Sequence, residues 1–281
     1  MKKTKKIIYI VTTILVFIIG FTILFLPTIR NIINERRSSY AINNYDKKYK
    51  NLSSEKIKQE WKLAKDYNKN LKLSSFSDPF EKSDRVNLKK YNQVLNLTGD
   101  GMMGHIEIPK INVHLPIYHG TDKKALLKGV GHLEESHLPI GGKGTHAVLT
   151  GHTGMEAAKY FTDLTNLKQG DKFYIKVLDE THAYEISQIK KVLPDQVNDL
   201  VPVSDKDLVT LVTCTPYGIN SHRLLVTGER VPLSEKDLSE NNRKNTSLLS
   251  KEMMIVAALV ILVVSVLIIV IWRKRRNKRK V

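Results

Sequence analysis

Thr210-Leu211-Val212-Thr213-Cys214-Thr215-Pro216-Tyr217-Gly218-Ile219-Asn220-Ser221-His222-Arg223-Leu224-Leu225-Val226 reads as a strand, a turn and a second strand. The apolar, β-branched run Leu208–Thr213 stops at Cys214. Pro216-Tyr217-Gly218 then supplies turn residues, and Arg223 opens the next apolar run, Leu224–Val231. A hairpin of this kind brings the Cys214 thiol and the Arg223 guanidinium to one end of a sheet. There the arginine can hydrogen-bond an oxyanion as it develops.

Cys214 is the single cysteine in 281 residues, which excludes an intrachain disulfide and any zinc site built from several cysteines. Free cysteines are often buried filler, so the thiol is either packing or chemistry. As chemistry it needs an imidazole or a cation beside it, because an ordinary thiol with a pKa near ~8.5 is mostly protonated at neutral pH. Nine histidines are available. His152 follows the strand-like Ala147-Val148-Leu149-Thr150 and sits between Gly151 and Gly154, at a strand-to-loop exit like that of Cys214. His222, next to Arg223, competes for the same role. His132 and His137 are five apart and do not form the HExxH zinc signature. His105, His114 and His119 match no strong ligand spacing. The chain has no P-loop and no GxGxxG.

Outward from the hairpin, further strand-like runs appear at Met103–Ile108, Val113–Tyr118, Thr145–Thr150, Lys172–Leu178 and Ala183–Leu193. Glycine, proline and aspartate turns separate them, the texture of an all-β barrel or sandwich. Met155–Leu167 is the one stretch within this region with the pattern of a short helix. Before Gly101 the texture is helical: Ile57, Trp61, Ala64, Tyr67 and Leu71 recur on one face. Pro79 then forces Asp78 out of helical geometry in Asp78-Pro79-Phe80.

The formal net charge is +17, but residues 1–6 hold four lysines and 273–281 hold seven basic residues. Without those eleven the remainder carries +6, which argues against a nucleic-acid-binding surface. Ile7–Leu26 and Met253–Trp272 are uncharged runs of twenty residues each, long enough to span a bilayer. The first lacks a small-x-small cleavage site, so it is expected to be an uncleaved anchor. The basic excess on the outer flanks predicts cytoplasmic ends and an external middle. The expected organisation is a cytoplasmic tail (1–6), a transmembrane helix (7–26), an extracellular helical segment (27–100), a β domain (101–232), a polar tether (233–252), a second transmembrane helix (253–272) and a basic cytoplasmic tail (273–281).

With these residues in place, the Cys214 stretch resembles the signature of sortases, the membrane-tethered cysteine transpeptidases of Gram-positive bacteria. Its T-L-x-T-C is followed nine residues later by Arg223. Leu149-Thr150-Gly151-His152 is similar to the family's histidine segment, and Ile106-Glu107-Ile108-Pro109-Lys110-Ile111 to its early strands. The resemblance runs from about Gly101 to Val231. It implies a mainly β fold, the sortase β-barrel with an N-terminal helical segment and lid, flanked by two transmembrane helices. It further implies Cys214 as nucleophile, His152 as proton donor and acceptor, Arg223 as substrate-orienting cation, and no metal or organic cofactor. Three features resemble class C, the pilin-polymerising sortases: the C-terminal span, Cys214-Thr215-Pro216-Tyr217-Gly218, and Asp78-Pro79-Phe80, similar to the class C lid and expected within 76–82. The implied partners are pilin subunits and surface proteins with LPxTG-like sorting signals, and the cell membrane. One departure is His152-Thr153-Gly154-Met155-Glu156, where class C proteins often carry arginine and proline after the histidine.

Other readings of the same residues are an anchoring sortase of the housekeeping or class B type, a papain-like hydrolase and a non-enzymatic adhesion module. The papain-like reading requires a cysteine that opens a helix and precedes its histidine.

Overall fold

The structure, a computed structural model, describes residues 2–71, 76–80, 89–154 and 158–234. Helix α1 (Lys2–Lys50) runs through Pro27 without a break. Its second half, past the uncharged stretch, is charged outside and apolar inside. Ile42 and Tyr45 pack against Met102, Tyr118 and Ala125 of the barrel. The Tyr45 hydroxyl donates to Met103 O (2.9 Å) and accepts from Leu178 N–H (3.0 Å), so one phenol satisfies two buried backbone groups.

Helix α2 (Ser54–Asn70) starts where Ser53 caps it, its hydroxyl accepting from Lys56 N–H. The face read from the sequence is the face that packs. Trp61 and Ala64 are buried, and Ile57 and Tyr67 lean on the same core. Leu71, on the same stripe, is the C-cap. The Trp61 indole donates to Asp179 (2.8 Å), tying α2 to the sheet.

The sheet comprises β1 (Met102–Ile108), β2 (Val113–His119), β3 (Val130–His132), β4 (Thr145–Thr150), β5 (Lys172–Val177), β6 (Glu180–Val192), β7 (Asp207–Thr215) and β8 (His222–Val231). It closes in the order β1-β2-β3-β4-β7-β8-β6-β5. Closure leaves no edge for another chain to pair with, and it decides between the barrel and sandwich readings. The pairs β2–β3 and β4–β7 are parallel, and the other pairs are antiparallel. Ile106, Phe173, Ile175, Tyr184, Leu211 and Val226 belong to the main core.

Seven of these strands coincide with runs read from the sequence. β3 was missed, because three residues are too few for an alternation to register. A single helical turn, α3 (Lys123–Leu126), is capped by Asp122 and was also unforeseen. Of the helical pattern at Met155–Leu167 there remains a 3₁₀ turn at Thr162–Asn166, and 155–157 lie outside the described residues.

The expected flanking transmembrane helices are corrected in part. Among the described residues, no helix is long and apolar enough to cross a membrane. The first run lies within α1, a longer helix whose second half is committed to the barrel surface. The second run, the tail 273–281 and all of the tether beyond Ser234 lie outside the described residues, as do lid positions 81 and 82.

Candidate active site

Strands β4 and β7 run parallel with Thr150 opposite Val212, so the loops after the two strands leave the barrel at the same rim. Gly151 N–H donates to Val212 O (3.0 Å), and the buried Thr213 hydroxyl donates to Gly151 O (2.7 Å). These two bonds carry the pairing one step past the strand end, so His152 leaves β4 at the rim where Cys214 nears the end of β7. The glycines around His152 have separate reasons. A Cβ on Gly151 would stand 2.7 Å from the Phe161 ring. Gly154 has φ +69°, with the Tyr217 ring against it, a conformation glycine adopts without penalty.

Cys214 and Arg223 are directly opposed in the antiparallel β7–β8 pair, so their side chains leave the same face of the sheet. His222, one residue earlier, points to the other face and its ring meets the exposed Ser221 hydroxyl (2.8 Å). His222 thus faces away from the side that Cys214 and Arg223 share, whereas His152 leaves β4 at the rim that β7 also reaches. Cys214 ends a strand rather than opening a helix, which removes the papain-like reading.

Asp78-Pro79-Phe80 lies over this group. The Asp78 carboxylate accepts two bonds from Arg223, Nε to Oδ1 at 2.9 Å and Nη2 to Oδ2 at 2.5 Å. This is the paired fork that a guanidinium and a carboxylate form best. Arg223 Nη1 also donates to the carbonyls of Asn220 and His222. The Phe80 ring lies near both Arg223 and His152. The guanidinium carbon sits 5.1 Å from its centroid and the His152 ring 5.9 Å away. The segment is held by Phe76, buried with Leu133, Val148 and Val212, and by Ser77, which donates to Glu135 (3.1 Å).

Burial shifts the two groups in opposite directions. Burial pushes the Cys214 thiol up; Arg223 pulls it down and Asp78 pushes it up again. Burial pushes His152 down. Both groups therefore favour their neutral forms, and a neutral thiol is a poor nucleophile.

Of the other histidines, the His105 and His114 rings meet edge to face at 5.1 Å, while both nitrogens of His119 lie against backbone carbonyls. Among the described residues, no group of three His, Cys, Asp or Glu is placed to hold a metal ion. Sequence reasoning missed Thr213, Phe161 and Tyr217, which orient the His152 turn. Thr213 stands inside the T-L-x-T-C stretch, but only the β4–β7 pairing gives its hydroxyl something to do.

Residues 106–231 match the family model for the sortase domain. Sortase C-1 from Actinomyces oris is 48% identical, with 64% of this chain and 99% of that one aligned at a TM-score of 0.61. The pilus-related sortase C of group B Streptococcus is 43% identical over 68% of this chain and 97% of that one, at a TM-score of 0.63. Sortase A of Bacillus anthracis is 33% identical over 135 residues, 48% of this chain. That match spans 62% of the Bacillus protein, less than two thirds of its length.

Proposed function

The chain belongs to the sortase family, and from that premise we propose that it is a class C cysteine transpeptidase that joins pilin subunits covalently. The observation that carries this reading is the Asp78–Arg223 fork with Phe80 against His152. It is a cover made of the chain itself, standing where a sorting signal would have to enter. The pilus-related name of the group B streptococcal relative, at 43% identity, supports the same choice.

In the proposed reaction the Cys214 thiolate attacks the threonine carbonyl of an LPxTG-like signal. Arg223, released from Asp78, hydrogen-bonds the tetrahedral oxyanion. The Thr–Gly C–N bond breaks as His152 gives its proton to the departing glycine amine, leaving a thioester on Cys214. The ε-amine of a lysine on the next subunit then attacks that thioester. Its proton passes to His152, the C–S bond breaks, and an isopeptide bond remains. Every step uses side chains of this chain and the two substrates.

The proposed setting is the cell surface. Residues 7–26 and 253–272 would serve as membrane anchors, with cytoplasmic ends and the barrel outside. The support for this is the uncharged length of the two runs and their basic outer flanks.

The test is intact mass spectrometry of the full chain in detergent, incubated with an LPxTG peptide and with a lysine-bearing pilin. The proposal expects an acyl adduct on Cys214, none on Cys214→Ala, and a ladder of joined subunits. Adducts that go only to a peptidoglycan-precursor amine would favour the anchoring sortases instead.

A further inference from the structure

At the end of the barrel away from Cys214 lies a groove of about 330 Å³. Thr145, the first residue of β4, lines it, whereas Thr150 at the other end of that strand leads to His152. Five steps of strand place the two sites roughly 17 Å apart. One wall is helix α2, which contributes Lys65 and Lys69, one turn apart. The other is the loop Ile140-Gly141-Gly142-Lys143-Gly144, and His137 also lines the groove.

Both walls are fixed. The buried Asn68 side chain donates to Leu138 O (3.2 Å) and accepts from Leu138 N–H (2.8 Å), clamping α2 to the segment that leads into the loop. Gly142 N–H donates to Asp207 and Gly144 N–H to Lys206 O, both at 2.8 Å, and the Thr145 hydroxyl donates to Gly142 O (2.6 Å). Gly141, Gly142 and Gly144 have φ of +70°, +125° and +75°, which keeps side chains out of the loop wall at these positions.

The charge in the groove is one-sided. Lys65, Lys69 and Lys143 all line it, and no acidic residue does. Among the described residues none of the three forms an ion pair; Lys65 is held only over the Trp61 ring, at 5.6 Å. A carboxylate behind the loop, Asp207, is already engaged by Gly142 N–H, the Tyr184 hydroxyl (3.1 Å) and Arg230 (3.8 Å). His137 accepts from His146 N–H through Nδ1 (3.3 Å), which leaves Nε2 to carry the proton and donate. Three lysines lining one groove from two walls suit a compact, multiply charged tetrahedral anion. A carboxylate, planar and singly charged, is matched better by an arginine fork, which this groove lacks.

We infer that the groove between Lys65, Lys69 and Lys143 binds a phosphate-bearing ligand, at a site separate from the catalytic rim. The phosphate can belong to a small soluble ester or to a lipid headgroup, and the experiment separates these sources. The full chain in uncharged detergent is titrated calorimetrically with glycerol phosphate and, in the same micelles, with short-chain (dihexanoyl) phosphatidylglycerol. The groove variant carries Lys65→Gln, Lys69→Gln and Lys143→Gln. The control carries Lys58→Gln, Lys62→Gln and Lys124→Gln, with the same change in charge.

Saturable binding of glycerol phosphate that the groove variant weakens about tenfold or more, and the control leaves nearly intact, supports the site with a soluble ligand. Groove-dependent, saturable binding of the short-chain lipid, tighter than that of glycerol phosphate and displaced by it, supports it with a lipid headgroup. Equal weakening in both variants would reduce the effect to general basicity and overturn the inference, as would the absence of saturable binding by either probe. Tighter groove-dependent binding of a glutamate-rich peptide than of glycerol phosphate would overturn the assignment to phosphate. Unchanged alkylation of Cys214 in both variants checks that the barrel is intact.

Discussion

Asp78→Ala should convert Cys214 from a covered, neutral thiol into an exposed, reactive one. The Asp78 side chain is 4% exposed and that of Arg223 11%, so the two charge-assisted bonds between them are little screened by water. Together they favour the covered state by about 2 kcal/mol, allowing for the cost of desolvating both charges. Their removal should raise the fraction of uncovered molecules, and with it the rate of alkylation by iodoacetamide, by about 30-fold at pH 7. The charge makes a second, separable prediction. Burial and Asp78 both hold the thiol above its ordinary range, against Arg223. Without Asp78 the midpoint of the pH–alkylation curve should therefore move down. Asp78→Asn, which keeps the size and loses the charge, should show most of that movement. Pseudo-first-order labelling rates between pH 5 and 10 give both quantities. Equal rates in parent and variant would refute the idea that this segment gates the thiol. Faster labelling with an unmoved midpoint would refute the electrostatic part.

Thr213→Val keeps shape but removes the bond to Gly151 O, leaving that carbonyl unpaired. A loss of about 1–2 kcal/mol in unfolding free energy is expected, with a fall in acyl-adduct formation greater than the loss of folded protein. Gly154→Ala places a Cβ in the left-handed region and 2.9 Å from the Tyr217 ring. It should cost about 1–2 kcal/mol, of which Tyr217→Ala in the same chain recovers only the contact part. Thermal melts of both proteins decide. Burial pushes His132 down to about 3 and His146 and His182 to about 4, with Arg230 also acting on His182. An unfolded chain protonates these rings near pH ~6.5. Stability is therefore fully present above pH 6.5 and falls as the pH drops towards 4, by up to about 1.4 kcal/mol per unit for each ring. A melting temperature that stays level from pH 7 to 5 would contradict this.

Much of the fold was legible because the signals are local. Strand alternation, turn glycines and the serine cap of α2 depend only on near neighbours in the chain. The same holds for the hairpin that opposes Cys214 to Arg223, since one short loop fixes its register. What escaped was whatever depends on distant pairing. β3 is too short to carry a pattern. The hydroxyl of Thr213 finds its acceptor only because β4 and β7 lie side by side in parallel. The alternation of strand β8 sends Arg223 and His222 to opposite faces, a placement that only the strand register shows.

Periodicity, turn chemistry and the solitary thiol with its arginine were thus set by the sequence itself, because residues a few positions apart interact whatever the rest of the chain does. Closure of the sheet, the approach of Phe80 to both His152 and Arg223, and the gathering of Lys65, Lys69 and Lys143 around one groove were decided by tertiary structure. In each of these, groups dozens of residues apart become neighbours only once the barrel closes and a helix packs against it, and no local pattern encodes that distance.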